Sequence, residues 1–79
     1  MSPDEIRTRI RAALPDAQVQ VVDTTGTGDH FDATVVSAAF SGKSLVEQHQ
    51  LVYRAVSDLI HGSAAPIHAL ALTTRTPQE

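Results

Sequence analysis

The side chains able to do chemistry near neutral pH in this 79-residue sequence are four histidines, His30, His49, His61 and His68, and there is no cysteine. Imidazole can carry a proton or ligate a metal. The lack of thiols excludes a disulfide framework, a thiolate metal site or a thiol nucleophile built from this chain alone. No two histidines stand four residues apart and none joins a Cys pair, so the spacing of a zinc site is weak at best. Ser37, Ser41 and Ser44 lie outside any nucleophile-elbow sequence, and Asp23, Asp29 and Asp32 cluster where repulsion or solvation accounts for them. Gly26-Thr27-Gly28 lacks the third glycine and the helix start of a dinucleotide fingerprint, and reads as turn chemistry. Nothing here commits the chain to catalysis, so the expected role is that of a binding module and not an enzyme.

The elements that must position these residues follow from periodicity and caps. Ser2 with Glu5 fits a capping box and Pro3 suits the first helical position; Ile6, Ile10, Ala13 and Leu14 then recur at helical spacing until Pro15-Asp16. Val19 and Val21 alternate with Gln18 and Gln20, which predicts a half-buried strand from about Ala17 to Asp23. After the turn Thr24 to Asp29, alternation returns from His30 to Val36 with Phe31, Ala33 and Val35 on one face, and the short loop predicts an antiparallel hairpin. Ser44 and Glu47 repeat the capping box at the head of a second helix expected to reach Ile60, with Gly62 near its C-cap. Leu45, His49, Val52, Val56 and Leu59 form its apolar stripe. Ile67 to Thr74 alternates again, with His68, Leu70, Leu72 and Thr74 sharing a face, as a third strand. The order helix, strand, strand, helix, strand predicts one α+β domain over residues 1–79, a three-stranded mixed sheet with helices on one face.

Composition sets outer limits. A chain this short buries only about 60% of its unfolded surface, enough for one core. Six Lys or Arg against nine Asp or Glu give a net charge of −3, which on average repels a phosphate backbone and makes nucleic acid an unlikely partner. No apolar run is long enough to span a membrane, and the polar, acidic opening Ser2-Pro3-Asp4-Glu5 is unlike a signal peptide, so the cytoplasm is the expected compartment.

Four landmarks, in order, carry a resemblance to a known family. They are Gly28-Asp29-His30-Phe31 with Val35-Val36-Ser37, then Phe40-Ser41-Gly42-Lys43, then His49-Gln50-Leu51-Val52-Tyr53, then Ile67-His68-Ala69-Leu70-Ala71-Leu72 followed by Thr76-Pro77. With these the chain resembles the BolA family over nearly its whole length. The resemblance implies a fold similar to a type II KH domain. It also implies a role in iron–sulfur cluster handling or iron regulation through a monothiol glutaredoxin and its glutathione, with a [2Fe-2S] cluster shared at the interface. It assigns a ligand role to His68. Relatives often place a second His or Cys in the loop between the first two strands; Thr24 to Asp29 has neither, which leaves His30 as the nearest substitute for cofactor or metal binding. Gln48-His49-Gln50 stands where many relatives have Arg-His-Arg, and the sequence stops at Glu79, short of a C-terminal helix that relatives often carry.

Each histidine also has a plainer explanation. A strand-end histidine such as His68 is commonly satisfied by backbone groups, and it is the resemblance that raises its ligand role. His30, opposite Phe31 in parity, is free of the core; His49, on the apolar stripe, reads as packed or at an interface edge; His61 reads as a solvated helix cap. The alternative function is a KH-like nucleic-acid-binding transcriptional regulator, but the GxxG loop that clamps RNA backbone in KH domains does not occur.

Overall fold

The computed structural model describes residues 1–61 and 65–77. Helix α1 (Pro3–Ala13) starts on a complete capping box: the Ser2 hydroxyl accepts from the Glu5 N–H and the Glu5 carboxylate accepts from the Ser2 N–H, with Pro3 at the first position. Its apolar residues Ile6 and Ile10 are fully buried. Strands β1 (Gln18–Asp23) and β2 (His30–Val36) pair antiparallel, and β3 (Ala69–Arg75) pairs parallel to β2, giving the order β1-β2-β3. The mixed sheet is thus built as the sequence predicts.

Period-2 alternation decides which side of the sheet is buried. Val19 and Val21 of β1 and Phe31, Ala33 and Val35 of β2 are buried, and the registers Phe31↔Leu70, Ala33↔Leu72 and Val35↔Thr74 carry the same face into β3. α1 lies against β1, and α2 (Leu45–Ala55) touches both α1 and β3. The core between them adds Leu14, Ala17, Phe40, Val52, Val56 and Ile67. Gln18, Gln20, Val22, Asp32, Ala71 and Thr73 stand on the uncovered face.

A 3-10 turn (Ala38–Phe40) leads from β2 toward α2 and is pinned by Asp16, which lies just before β1. The fully buried Ser37 donates to Asp16 Oδ1 at 2.7 Å, and Asp16 Oδ2 accepts from the Ala38 N–H at 2.9 Å. Ser37 is therefore a structural hydroxyl. α2 begins on its own capping box, Ser44 with Glu47.

Three expectations need correction. The second helix does not run unbroken to Ile60: α2 ends at Ala55, and a single turn α3 (Ser57–Ile60) follows. Val56 sits between them at φ −123°, ψ 15°; its side chain is fully buried and its N–H bonds the Tyr53 carbonyl, a tighter i−3 link. The Ser57 hydroxyl reaches the Arg54 carbonyl at 3.4 Å, a local bond of the kind that competes with helix continuation. Second, Leu45 is 61% exposed. The buried stripe therefore begins farther along α2, where Val52 is fully buried. Third, β3 starts at Ala69: Ile67 is buried and His68 exposed, so the strand's alternation does not reach back to them. The expected cap at Gly62 lies outside the described residues.

Candidate functional site

The loop between β1 and β2 is shaped by Asp23. Its carboxylate accepts from the N–H groups of Thr25 (3.2 Å), Gly26 (2.9 Å) and Gly28 (2.9 Å), a turn held by a side chain folded back on its own backbone. Gly28 has φ +77°, a conformation that favours glycine, and a Cβ there would make a tight 3.2 Å contact with the Met1 carbonyl oxygen. This turn delivers Asp29 and His30 to the start of β2.

Parallel pairing then brings in the second histidine. With His30 opposite Ala69, the residue before β3 is set beside the residue before β2. The Asp29 carbonyl accepts from the His68 N–H at 2.8 Å and the Ala69 N–H at 3.2 Å. His30 and His68 therefore meet at one end of the sheet, their rings 6.0 Å apart and edge to face.

Asp29 stands between them. His30 Nδ1 is 2.8 Å from Asp29 Oδ1, and His68 Nδ1 is 3.3 Å from Oδ2. The hydroxyl of Thr27 also donates to Oδ1. The hydrogen bond from Thr27, then that from His30, and the charges of both imidazoles hold the Asp29 carboxyl down to about 2. The group is thus an anion at neutral pH and can only accept. The imidazoles are open to solvent, their side chains 43% exposed for His30 and 67% for His68.

Sequence reasoning picked out both histidines but treated Asp23 and Asp29 as solvated charges. Instead, one folds the loop and the other binds the pair. The available signal was position, since Asp23 and Asp29 flank the glycines of a short loop and Asp29 immediately precedes His30. The other two histidines stay apart from the site. His49 is half-buried and edge-on to Tyr53, with its Nε2 buried and lacking a hydrogen bond, in keeping with a packing role. His61 is exposed and caps α3, its N–H on the Ser57 carbonyl.

With each Nδ1 turned to the carboxylate, Nε2 is the nitrogen each ring has left to offer a metal. Metal-binding histidines commonly have this arrangement, one ring nitrogen on a carboxylate and the other on the ion. Among the described residues no group of three or more His, Cys, Asp or Glu could hold a metal ion. The pair offers two imidazole nitrogens, fewer than a metal's usual four or more ligands. No helix among the described residues is long and apolar enough to cross a membrane.

Fold and site together define a small α+β module that presents a carboxylate-linked histidine pair at the end of a mixed sheet. The family model described as BolA-like protein matches residues 9–79. BolA-like protein 1 of Mus musculus is 41% identical over 81 residues, covering 94% of this chain and 57% of that protein. The DNA-binding transcriptional regulator BolA of Escherichia coli is 31% identical over 86 residues, covering 100% of this chain and 79% of that one. Among solved structures, the BolA domain of SufE1 from Arabidopsis thaliana superposes with a TM-score of 0.81 at 30% identity, covering 96% of this chain and 92% of that domain. The chain belongs to the BolA family. It spans little more than half the length of the mammalian BolA-like 1 proteins it matches.

Proposed function

We propose that this chain is the cysteine-free side of a shared [2Fe-2S] centre, with His68 and His30 as its imidazole ligands and a monothiol glutaredoxin with glutathione supplying the thiolates. The observation that carries the reading is the meeting of the two rings, 6.0 Å apart, with both Nδ1 atoms facing one carboxylate. Imidazole replaces thiolate on one iron of Rieske clusters and raises their potential. A chain without cysteine can therefore complete a cluster, and one held by two proteins suits transfer or iron sensing. Family membership, and the likeness to a BolA domain within SufE1, support the assignment. The role is binding and delivery.

The test is the visible absorption and circular dichroism of the chain mixed with a monothiol glutaredoxin, glutathione, iron and sulfide. Spectra that differ from those of the glutaredoxin alone, and lose that difference in His68→Ala, bear the reading out. Spectra identical to those of the glutaredoxin alone refute it.

A second reading, as a nucleic-acid-binding regulator, rests on the likeness to the Escherichia coli regulator. It requires duplex binding whose log K falls with log salt by about 0.9 per phosphate neutralised. The net charge of −3 works against it.

A further inference from the structure

We infer that Asp29 is a positioning residue for the histidine pair: its single carboxylate fixes both imidazoles as Nδ1–H tautomers and leaves both Nε2 lone pairs for a metal. The inference rests on the reading of His30 and His68 as ligands, and it adds what presents them. A free histidine side chain in water favours the opposite tautomer, with the proton on Nε2 where a metal would have to bind. Something must reverse that preference in both rings, and the side chain placed to do so is Asp29.

Geometry assigns a separate oxygen to each ring. Oδ1 takes His30 Nδ1 at 2.8 Å together with the Thr27 hydroxyl, and Oδ2 faces His68 Nδ1 at 3.3 Å. An ionised carboxylate has about four acceptor sites, so the two hydrogen-bond donors, the Thr27 hydroxyl and His30 Nδ1, leave Oδ2 open to the nearby His68 Nδ1. The main chain of the same residue fixes the distance, since the Asp29 carbonyl holds the N–H groups of His68 and Ala69. Side chain and backbone of one residue thus tie the starts of β2 and β3 together. Replacing the carboxylate leaves those backbone bonds in place, so the substitution separates orientation from folding.

The measurement is long-range proton–nitrogen correlation NMR of the imidazoles in the metal-free chain, with the rings neutral. Pyrrole-like and pyridine-like nitrogen shifts read each tautomer directly. In the native chain His30 and His68 are both Nδ1–H. In Asp29→Ala both move toward Nε2–H. Asp29→Asn gives a sharper result: the amide offers one accepting oxygen and one donating NH2, so one ring keeps Nδ1–H and the other changes. A native ring already in the Nε2–H form, or tautomers unchanged in Asp29→Ala, would overturn the inference.

A second arm uses the complex with glutaredoxin, where loss of an outer carboxylate weakens metal binding by about 10–100-fold. Asp29→Ala is expected to weaken cluster retention by that factor, and His68→Ala to remove this chain's effect on the spectrum. A cluster lost in His68→Ala but held at native strength in Asp29→Ala overturns the role of Asp29 and leaves the ligand reading intact. A spectrum indifferent to His68→Ala overturns both, whatever the tautomers.

Discussion

Asp16 and Asp29 are carboxylates of the same type whose hydrogen bonds serve different ends, one closing the fold and the other presenting a site. The Asp16 carboxyl is held below its ordinary range by the Ser37 hydroxyl first and the Ala38 N–H second. Because its folded value is depressed, its contribution to stability is fully present above the unfolded carboxyl value of about 3.9, and is lost as pH falls through the lower folded value. Urea midpoints measured from neutral pH downward should therefore fall more steeply for the native chain than for Asp16→Asn, with the gap between them closing in acid. A constant gap would contradict this. At this scale the sequence was half legible. His30 and His68 stood out by type and by resemblance, whereas Asp29 did not, because its partner His68 is 39 positions away in sequence and is brought close only by the parallel register.

The elements were more legible than the contacts between them. Both helices start on the Ser-x-x-Glu boxes visible in the sequence, since a cap is a local arrangement that needs no tertiary partner. Ser44→Ala should destabilise the domain by about 1 kcal/mol, as loss of an N-cap generally does, and a urea titration would show it. No change in midpoint would mean that packing alone sets the start of α2. The break at Val56 was not legible, because no Gly or Pro marks it. It falls at a fully buried valine, beside a Ser57 hydroxyl turned back on the Arg54 carbonyl. The late start of β3 has a tertiary origin as well. His68 is held by the Asp29 carbonyl before the ladder begins, a tertiary bond that periodicity does not report.

For the whole molecule, two aromatic side chains carry much of a small core. Phe31 is 2% exposed and Phe40 fully buried, between the sheet and the helices. Phe31→Ala should cost about 3–5 kcal/mol, a large part of the roughly 5–15 kcal/mol available to a folded domain. A denaturation midpoint little changed from native would show that the core collapses around the gap. Because Phe31 follows His30 directly and pairs with Leu70, two residues after His68, core and site share the same strand starts. A Phe31 variant that still folds should then loosen the histidine pair as well.

The most direct test of the central claim, that this chain gives imidazole ligands to a shared cluster, is pulsed electron paramagnetic resonance of the reduced complex. Only this chain's histidines would carry 15N, with the glutaredoxin and glutathione unlabelled. Strong 15N hyperfine couplings, reduced in His30→Ala and His68→Ala, are the predicted result. A reduced cluster with no strongly coupled 15N would contradict the claim and leave the histidine pair as a docking surface without a metal.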